Sequence, residues 1–405
     1  MPSTLPPGEP APSDGALPAT ARTTVGQRPL SIYVHVPFCT TRCGYCDFNT
    51  YTATELGTQP GASQAGYIDA AVRELDLAAG VLGPGAGPVS TIFVGGGTPT
   101  LLPADDLGRM VAAIGDRFGL TADPEITTES NPESIDAAGL DRLRALGFTR
   151  ISFGMQSAIP HVLRVLDRVH SPGRPQQAVA EAKAAGFEHT SLDLIYGTPG
   201  ESIADWQASL DAAIDAEPDH LSAYALIVEE GTRLATRIRR GELPMTDDDD
   251  LADKYLIAEE RLTAAGFAAY EVSNWARGAG SECRHNLAYW RSDNWWGIGP
   301  GAHSHVGGVR WWNVKHPRAY AQRLADGLSP AYAREVLEPA DQRIERVMLE
   351  LRLAEGLDTS VLTATEQDRI PDLVVRGLAH RDGQQLILTL QGRLLADGVI
   401  RDLLD

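Results

Sequence analysis

Six short runs of mostly apolar, β-forming residues recur along the chain: SIYVHV (31–36), STIFV (90–94), EITTES (125–130), RISFGM (150–155), SLDLIYG (191–197) and LSAYALI (221–227). Several are apolar on both faces, as parallel strands covered by helices are. Between them lie stretches with helical periodicity, such as YIDAAVRELDLAAG and GRPQQAVAEAKAAGF. This alternation predicts a parallel α/β sheet, either doubly wound or an incomplete barrel.

The flanks follow other patterns. Residues 1–29 are rich in Pro, Gly, Ala, Ser and Thr, and predict a disordered tail. The acidic run MTDDDD (245–250) leads straight into LADKYLIAEERLTAAG, where Leu251, Tyr255, Ala258 and Leu262 repeat at helical spacing. The Asp run therefore reads as a helix N-cap and dipole partner. Residues 270–312 hold six of the seven tryptophans. From about 340 onward, two helical patterns, a hairpin around Asp382-Gly383 and a last helix predict a small winged-helix-like module. The expected division is 1–29 tail, 30–245 main α/β domain, 246–335 helix and Trp-rich extension, and 336–405 C-terminal module.

Composition narrows the function classes. A chain of 405 residues with 43% apolar residues can bury a sizeable core. Its formal charge of -19 repels phosphate backbones, so no nucleic-acid partner is expected. No apolar run is long enough to span a bilayer, and the N-terminus lacks the order of a secretory signal. A cytoplasmic location follows as the expectation, with transient membrane association left open.

Three of the four cysteines crowd into HVPFCTTRCGYCDFNTY (35–51): Cys39, Cys43 and Cys46, spaced Cys-x3-Cys-x2-Cys. Clustered thiols point to a metal in a reducing compartment rather than to disulfides. A structural zinc site needs a fourth, distant ligand, Cys283 or a histidine such as His303. An iron-sulfur cluster held by three cysteines instead keeps one iron open for a ligand. GGGTPT (95–100) follows the second strand run, and its glycines allow close backbone approach. Polar residues recur where strands end: Gly97 and Thr98, then Glu129, Gln156 and Asp193. Ligands bind at the carboxyl ends of strands in such folds. Asp193, flanked by leucines, is either a ligand-binding group or a buried paired carboxylate.

These motifs carry a resemblance. The cysteine spacing with YVHVPFC, CGYCDF, FVGGGTPT, ISFGMQS, LDLIYGTPGES and CRHNLAYW, in that order, is similar to the radical S-adenosylmethionine (SAM) superfamily. Within it, the chain resembles the group of oxygen-independent coproporphyrinogen III oxidase and its haem-chaperone relatives, from about residue 31 to the C-terminus. The resemblance implies an incomplete (β/α)6 barrel with extra C-terminal α+β elements. It implies a four-iron four-sulfur cluster on Cys39, Cys43 and Cys46, with SAM on the open iron. Tyr33 and Tyr45 would line the SAM site. Gly96, Gly97, Thr98, Glu129 and Arg168 would meet its methionine part. Gln156 and Asp193 would take the ribose hydroxyls, and Ala225 would border the adenine. An electron donor such as a flavodoxin or ferredoxin is implied as a partner.

Two features separate the branches. The oxidase carries a further cysteine two places after the third cluster cysteine, where this chain has Phe48. HNLAYW (285–290) matches the chaperone branch's His-Asn-x-x-Tyr-Trp signature. That branch implies haem binding and transfer to haem-accepting proteins, with His285 as an iron ligand, Cys283 as an axial or covalent contact, and Trp290, Trp295, Trp296, Trp311 and Trp312 around a flat apolar pocket. The oxidase also has a longer ordered N-terminal segment reaching its active site. Oxidative decarboxylation of coproporphyrinogen III is the alternative reading, and a zinc-stabilised binding protein is a third.

Overall fold

The computed structural model describes residues 7–57, 63–168, 170–278 and 280–404. One large mixed sheet runs through it. In chain order its strands are β1 (Glu9–Pro10), β2 (Leu30–Val36), β3 (Val89–Gly96), β4 (Leu120–Ser130), β5 (Arg150–Gln156), β6 (His189–Tyr196) and β7 (His220–Ala225). They continue as β8 (Ala268–Ala269), β9 (Asn274–Ala276), β10 (Asn294–Ile298), β11 (His303–Val306), β12 (Val309–Asn313) and β13 (Ala331–Val336). The spatial order is β1-β13-β12-β11-β10-β2-β3-β4-β5-β6-β7-β9-β8.

All six expected strands are present, and each pairs in parallel with the next, β2 to β7. Helices α1 (Gln64–Leu82), α2 (Ala104–Phe118), α3 (Ala137–Ala145), α4 (Arg174–Ala184) and α5 (Ile203–Asp215) fall between or after them. Ile32, Val34, Ile92, Val94, Ile151, Phe153, Leu192 and Leu194 are fully buried, which accounts for the two-faced apolar runs. This is the incomplete barrel, extended at one edge by antiparallel β9 and β8 and at the other by β10 to β13 and β1. β10 was not read from the sequence, yet it pairs in parallel with β2 and makes a seventh parallel strand. NWWGI is only five residues long and lies among loops, so no period could mark it.

Helix α6 (Asp248–Ala264) starts as the acidic run suggested: the Asp247 side chain accepts from the Asp250 N–H at 3.0 Å. Buried residues of 246–335, among them Tyr255, Leu262, Trp275, Trp296, Ile298 and Trp311, join the same core as β2 to β7. The C-terminal module keeps its own core around Val347, Leu351, Leu373, Leu386 and Leu403. There β14 (Leu357–Asp358), β15 (Ala379–Asp382) and β16 (Gln385–Leu388) form a separate three-stranded sheet.

The expectation of a disordered tail over 1–29 does not hold for its described part. Glu9–Pro10 pairs with Ala333 and Arg334 at the sheet's edge, and Leu17 and Ala21 are buried against the main core. A few well-placed apolar residues suffice because the edge strand β13 supplies the hydrogen bonds that composition cannot reveal. Residues 1–6 lie outside the described residues.

Candidate functional site

The six parallel strands end on a common rim, and the rim surrounds a cavity of ≈ 1090 Å³. The expected cluster, SAM and haem-contact residues line it: Cys39, Cys43 and Cys46; Tyr33, Tyr45, Gly96, Gly97, Thr98, Glu129, Gln156, Arg168, Asp193 and Ala225; and Cys283 and His285.

The cysteine loop follows β2 directly and is tied down at several points. Phe38–Cys39 pairs with Tyr51–Thr52, so the loop closes on itself. His35 Nε2 lies 2.9 Å from the Asn49 carbonyl oxygen, and Asn49 Nδ2 donates to the Pro300 and Lys315 carbonyls at 2.9 Å each. The N–H groups of Gly97 and Thr98 donate to the carbonyls of Val36 and Phe38, both at 2.8 Å. A Cβ on Gly97 would come within 2.9 Å of the Phe38 carbonyl carbon and 3.0 Å of Cys39 Sγ. The glycine run thus seats the cysteine loop, an approach of backbone to backbone.

All three thiols are free of disulfides. Burial pushes the Cys46 thiol up to about 11, and burial raises Cys39 as well. Buried thiolates need a positive partner, which iron supplies. Among the described residues, no three His, Cys, Asp or Glu side chains converge as ligands of a single metal ion do. A cluster requires no such convergence, because each thiolate takes a different iron. The donor set therefore fits a cluster held by three cysteines.

Around the loop, the strand ends supply polar groups. Gly96 N donates to Glu129 Oε2 at 2.9 Å. Glu129 is pushed up to about 7, first by burial and then by the charge of Asp193. Asp193 is raised by burial, although Ser152 Oγ lies 3.0 and 2.9 Å from its two carboxylate oxygens. Gln156 ends β5 with φ 66°, a left-handed conformation that only over-determined positions hold outside glycine. Tyr45 packs its ring beside Val162, Leu166, Ile195 and Leu226.

HNLAYW forms a short helix, α7 (Arg284–Trp290), against β3 and β4. His285 is buried on the cavity wall, 6.4 Å from the Tyr33 ring. Its Nδ1 lies 2.7 Å from Thr91 Oγ1 and its Nε2 2.9 Å from the Tyr289 hydroxyl. Burial pushes its pKa down to about 3, so the ring is neutral. Both nitrogens are engaged, and neither offers iron a free lone pair without losing a hydrogen bond. Cys283 is buried and its thiol pushed up, first by burial and then by Glu125.

The expected tryptophan pocket is not formed: no tryptophan lines the cavity. Trp296 and Trp311 pack edge to face in the core, and Trp312 stacks on His303. Alternation along β10 and β12 directs these rings into the packing layers rather than toward the strand ends. His303 likewise stays outside the cavity wall.

Two residues that the sequence reading missed organise this end of the site. Glu125, at 3% exposure, accepts from the backbone N–H of Arg284 and of His285, both at 3.0 Å. Cys283 Sγ lies 3.6 Å from Glu125 Oε1, and the equally buried Arg150 lies 3.3 Å away. Glu125 and Arg150 both sit in strand runs, and alternation alone gives no signal that their side chains are paired.

Comparison with known proteins places this architecture. The model of the radical SAM superfamily matches residues 33–213. The chain is 52% identical to the heme chaperone HemW of Mycobacterium tuberculosis (strain ATCC 25618 / H37Rv) over 377 residues, covering 93% of this chain and 95% of that one. It is 36% identical to the heme chaperone HemW of Escherichia coli (strain K12), covering 81% and 84%. Among solved structures, the radical SAM enzyme coproporphyrinogen III oxidase (HemN) from Escherichia coli superposes with a TM-score of 0.81 at 26% identity, covering 96% of this chain and 94% of that one. With the cysteine loop seated on its glycine run and the rim of strand ends complete, the chain belongs to the heme chaperone HemW family within the radical SAM superfamily.

Proposed function

We propose that this protein binds haem and passes it to haem-accepting proteins, while carrying a four-iron four-sulfur cluster and SAM. The observation that carries the reading is identity with proteins named heme chaperone HemW along nearly the whole chain. Membership of the radical SAM superfamily implies the cluster and SAM, and Cys39, Cys43 and Cys46 are its proposed ligands. When bound, the reduced cluster supplies an electron to the sulfonium. Glu129 would receive the amino group of SAM, Asp193 and Gln156 would hold its ribose, and Tyr33, Tyr45 and Ala225 would bound the pocket. The donor of that electron is a flavodoxin- or ferredoxin-like protein. Among the described residues no helix is long and apolar enough to cross a membrane.

The cavity, at ≈ 1090 Å³, lies at the upper end of the ~300–1,000 Å³ of a typical ligand pocket. Phe48 and Ile227, 50% and 67% exposed, are apolar members of its wall. Among the described residues, none before Tyr33 lines the cavity. The fold shared with HemN keeps the oxidase as the second reading. The test is to give the anaerobically reconstituted protein haem, and separately coproporphyrinogen III with SAM and reductant. Stoichiometric haem uptake without protoporphyrinogen formation is expected, and efficient conversion of coproporphyrinogen III would overturn the chaperone reading.

The proposed role of Glu129 gives a pH dependence. With its pKa near 7, the carboxylate is mostly charged at pH 8 and mostly protonated at pH 6. Protonation removes the attraction for the SAM ammonium, so affinity falls as pH falls. Calorimetric titration should show SAM binding about tenfold weaker at pH 6 than at pH 8, by the change in charged fraction alone. In Glu129→Gln that pH dependence should vanish.

A further inference from the structure

Arg168 is held more firmly than a ligand-binding side chain on a loop requires. Its Nε donates to His170 Nε2 at 3.2 Å, and its Nη2 donates to the Gly154 carbonyl at 3.0 Å. Its Nη1 points at a cluster cysteine, 3.5 Å from Cys43 Sγ. Gly154 makes the seat: a Cβ there would lie 2.9 Å from Arg168 Nη2 and 2.7 Å from Gln156 Nε2. Burial keeps His170 neutral, at about 4, so its Nε2 can accept from the guanidinium. A guanidinium has five N–H donors, and three are used here. Two remain for an anionic ligand, so this role does not exclude a carboxylate partner.

We propose that Arg168, positioned by His170 and Gly154, sets the reduction potential of the cluster through its N–H to Cys43 Sγ. The inference rests on the cluster reading above. Reduction adds one electron from a low-potential one-electron donor to the cluster, and no bond to the protein forms or breaks. The added negative charge is delocalised onto the cysteine sulfurs. A fixed cation donating to one of those sulfurs favours the reduced form, since hydrogen bonds to sulfur and local charge set cluster potentials. Arg168 thereby makes the cluster easier to reduce before any SAM is present. His170 acts through Arg168 and touches no cluster ligand.

The test uses the anaerobically reconstituted full chain without SAM, titrated with dithionite against redox dyes and followed by electron paramagnetic resonance. Iron and acid-labile sulfide are measured first. A wild-type chain that takes up no iron and sulfide would sink the cluster reading itself, separately from this inference. In Arg168→Gln the reduction equilibrium should weaken at least tenfold, a midpoint lower by about 59 mV for a one-electron couple. His170→Ala should shift it in the same direction by less. Arg168→Lys, which keeps the charge but loses the planar fork, should fall between wild type and Arg168→Gln. If Arg168→Gln cannot hold the cluster, the other two variants carry the same comparison. Clusters of full iron and sulfide content with unchanged midpoints in the variants would overturn the proposal.

Discussion

Glu125→Ala is expected to destabilise the protein by roughly 3–5 kcal/mol, the cost typical of breaking a buried ion pair from one side. Arg150 is 2% exposed, and its remaining contacts are the carbonyls of Ser281 and Glu282, at 2.6 and 3.0 Å. Removing the carboxylate leaves a buried cation facing no counter-charge. It also strips the acceptor from the first N–H groups of α7, Arg284 and His285, which adds about 1 kcal/mol in the manner of a lost N-cap. Against a typical domain stability of about 5–15 kcal/mol this is a large fraction. Urea unfolding of the cluster-free protein measures it. Arg150→Met alone should cost less, because Glu125 keeps its three backbone and thiol neighbours. The double variant Glu125→Gln/Arg150→Met should recover part of the loss, since neither charge is then stranded. A single-variant loss under about 1 kcal/mol would show that solvent reaches the pair.

The same pair explains what HNLAYW does in this structure. The motif's histidine is anchored at its backbone by Glu125, at Nδ1 by Thr91 and at Nε2 by Tyr289. A histidine so held positions the wall beside Tyr33. Its variants should therefore change the proposed SAM side of the cavity as well as any haem contact.

How much of this could be read from the chain depended on whether the signal was local. The six parallel strands were legible because burial on both faces writes a continuous apolar run, and their ends were found to within a few residues. β4 is the exception: LTADP precedes EITTES without apolar continuity, yet the strand begins at Leu120. The cysteine loop, the glycine run and the strand-end carboxylates share one cavity wall, and each was marked by a local signal, a tight residue spacing or a polar residue at a strand end. Long-range pairing was not. Glu125 with Arg150, and Arg168 with His170, are set by which strand lies beside which, and a single sequence carries no mark of that. Tryptophan density misled for the converse reason: aromatic rings serve packing and binding equally, and only the direction of each strand's pleat decides. Leu17 and Ala21 are too sparse to raise the hydrophobicity of 1–29, yet an exposed sheet edge was waiting to pair with Glu9–Pro10.

Gly97→Ala should abolish stable cluster assembly while leaving the barrel folded. The methyl group would press on the Phe38 carbonyl and on Cys39 Sγ, and its backbone neighbours cannot swing away as a flexible side chain would. Phe38 is pinned on one side by Thr98 N–H and on the other by pairing with Tyr51. Relief therefore requires moving the segment that carries Cys39, and a cluster held by three cysteines has no spare ligand to tolerate the loss. Iron and sulfide per chain after anaerobic reconstitution should drop to a small fraction of wild type. Circular dichroism should be unchanged, because the clash lies beyond the end of β3, outside the parallel ladder. Gly80→Ala is the matched control: it lies inside α1, a Cβ there meets nothing within 4 Å, and helix propensity predicts a gain of about 1 kcal/mol. Full cluster content in Gly97→Ala would mean that the cysteine loop is free to shift. The seat built by the Gly97 and Thr98 N–H groups would then not be what holds the three thiolates in register.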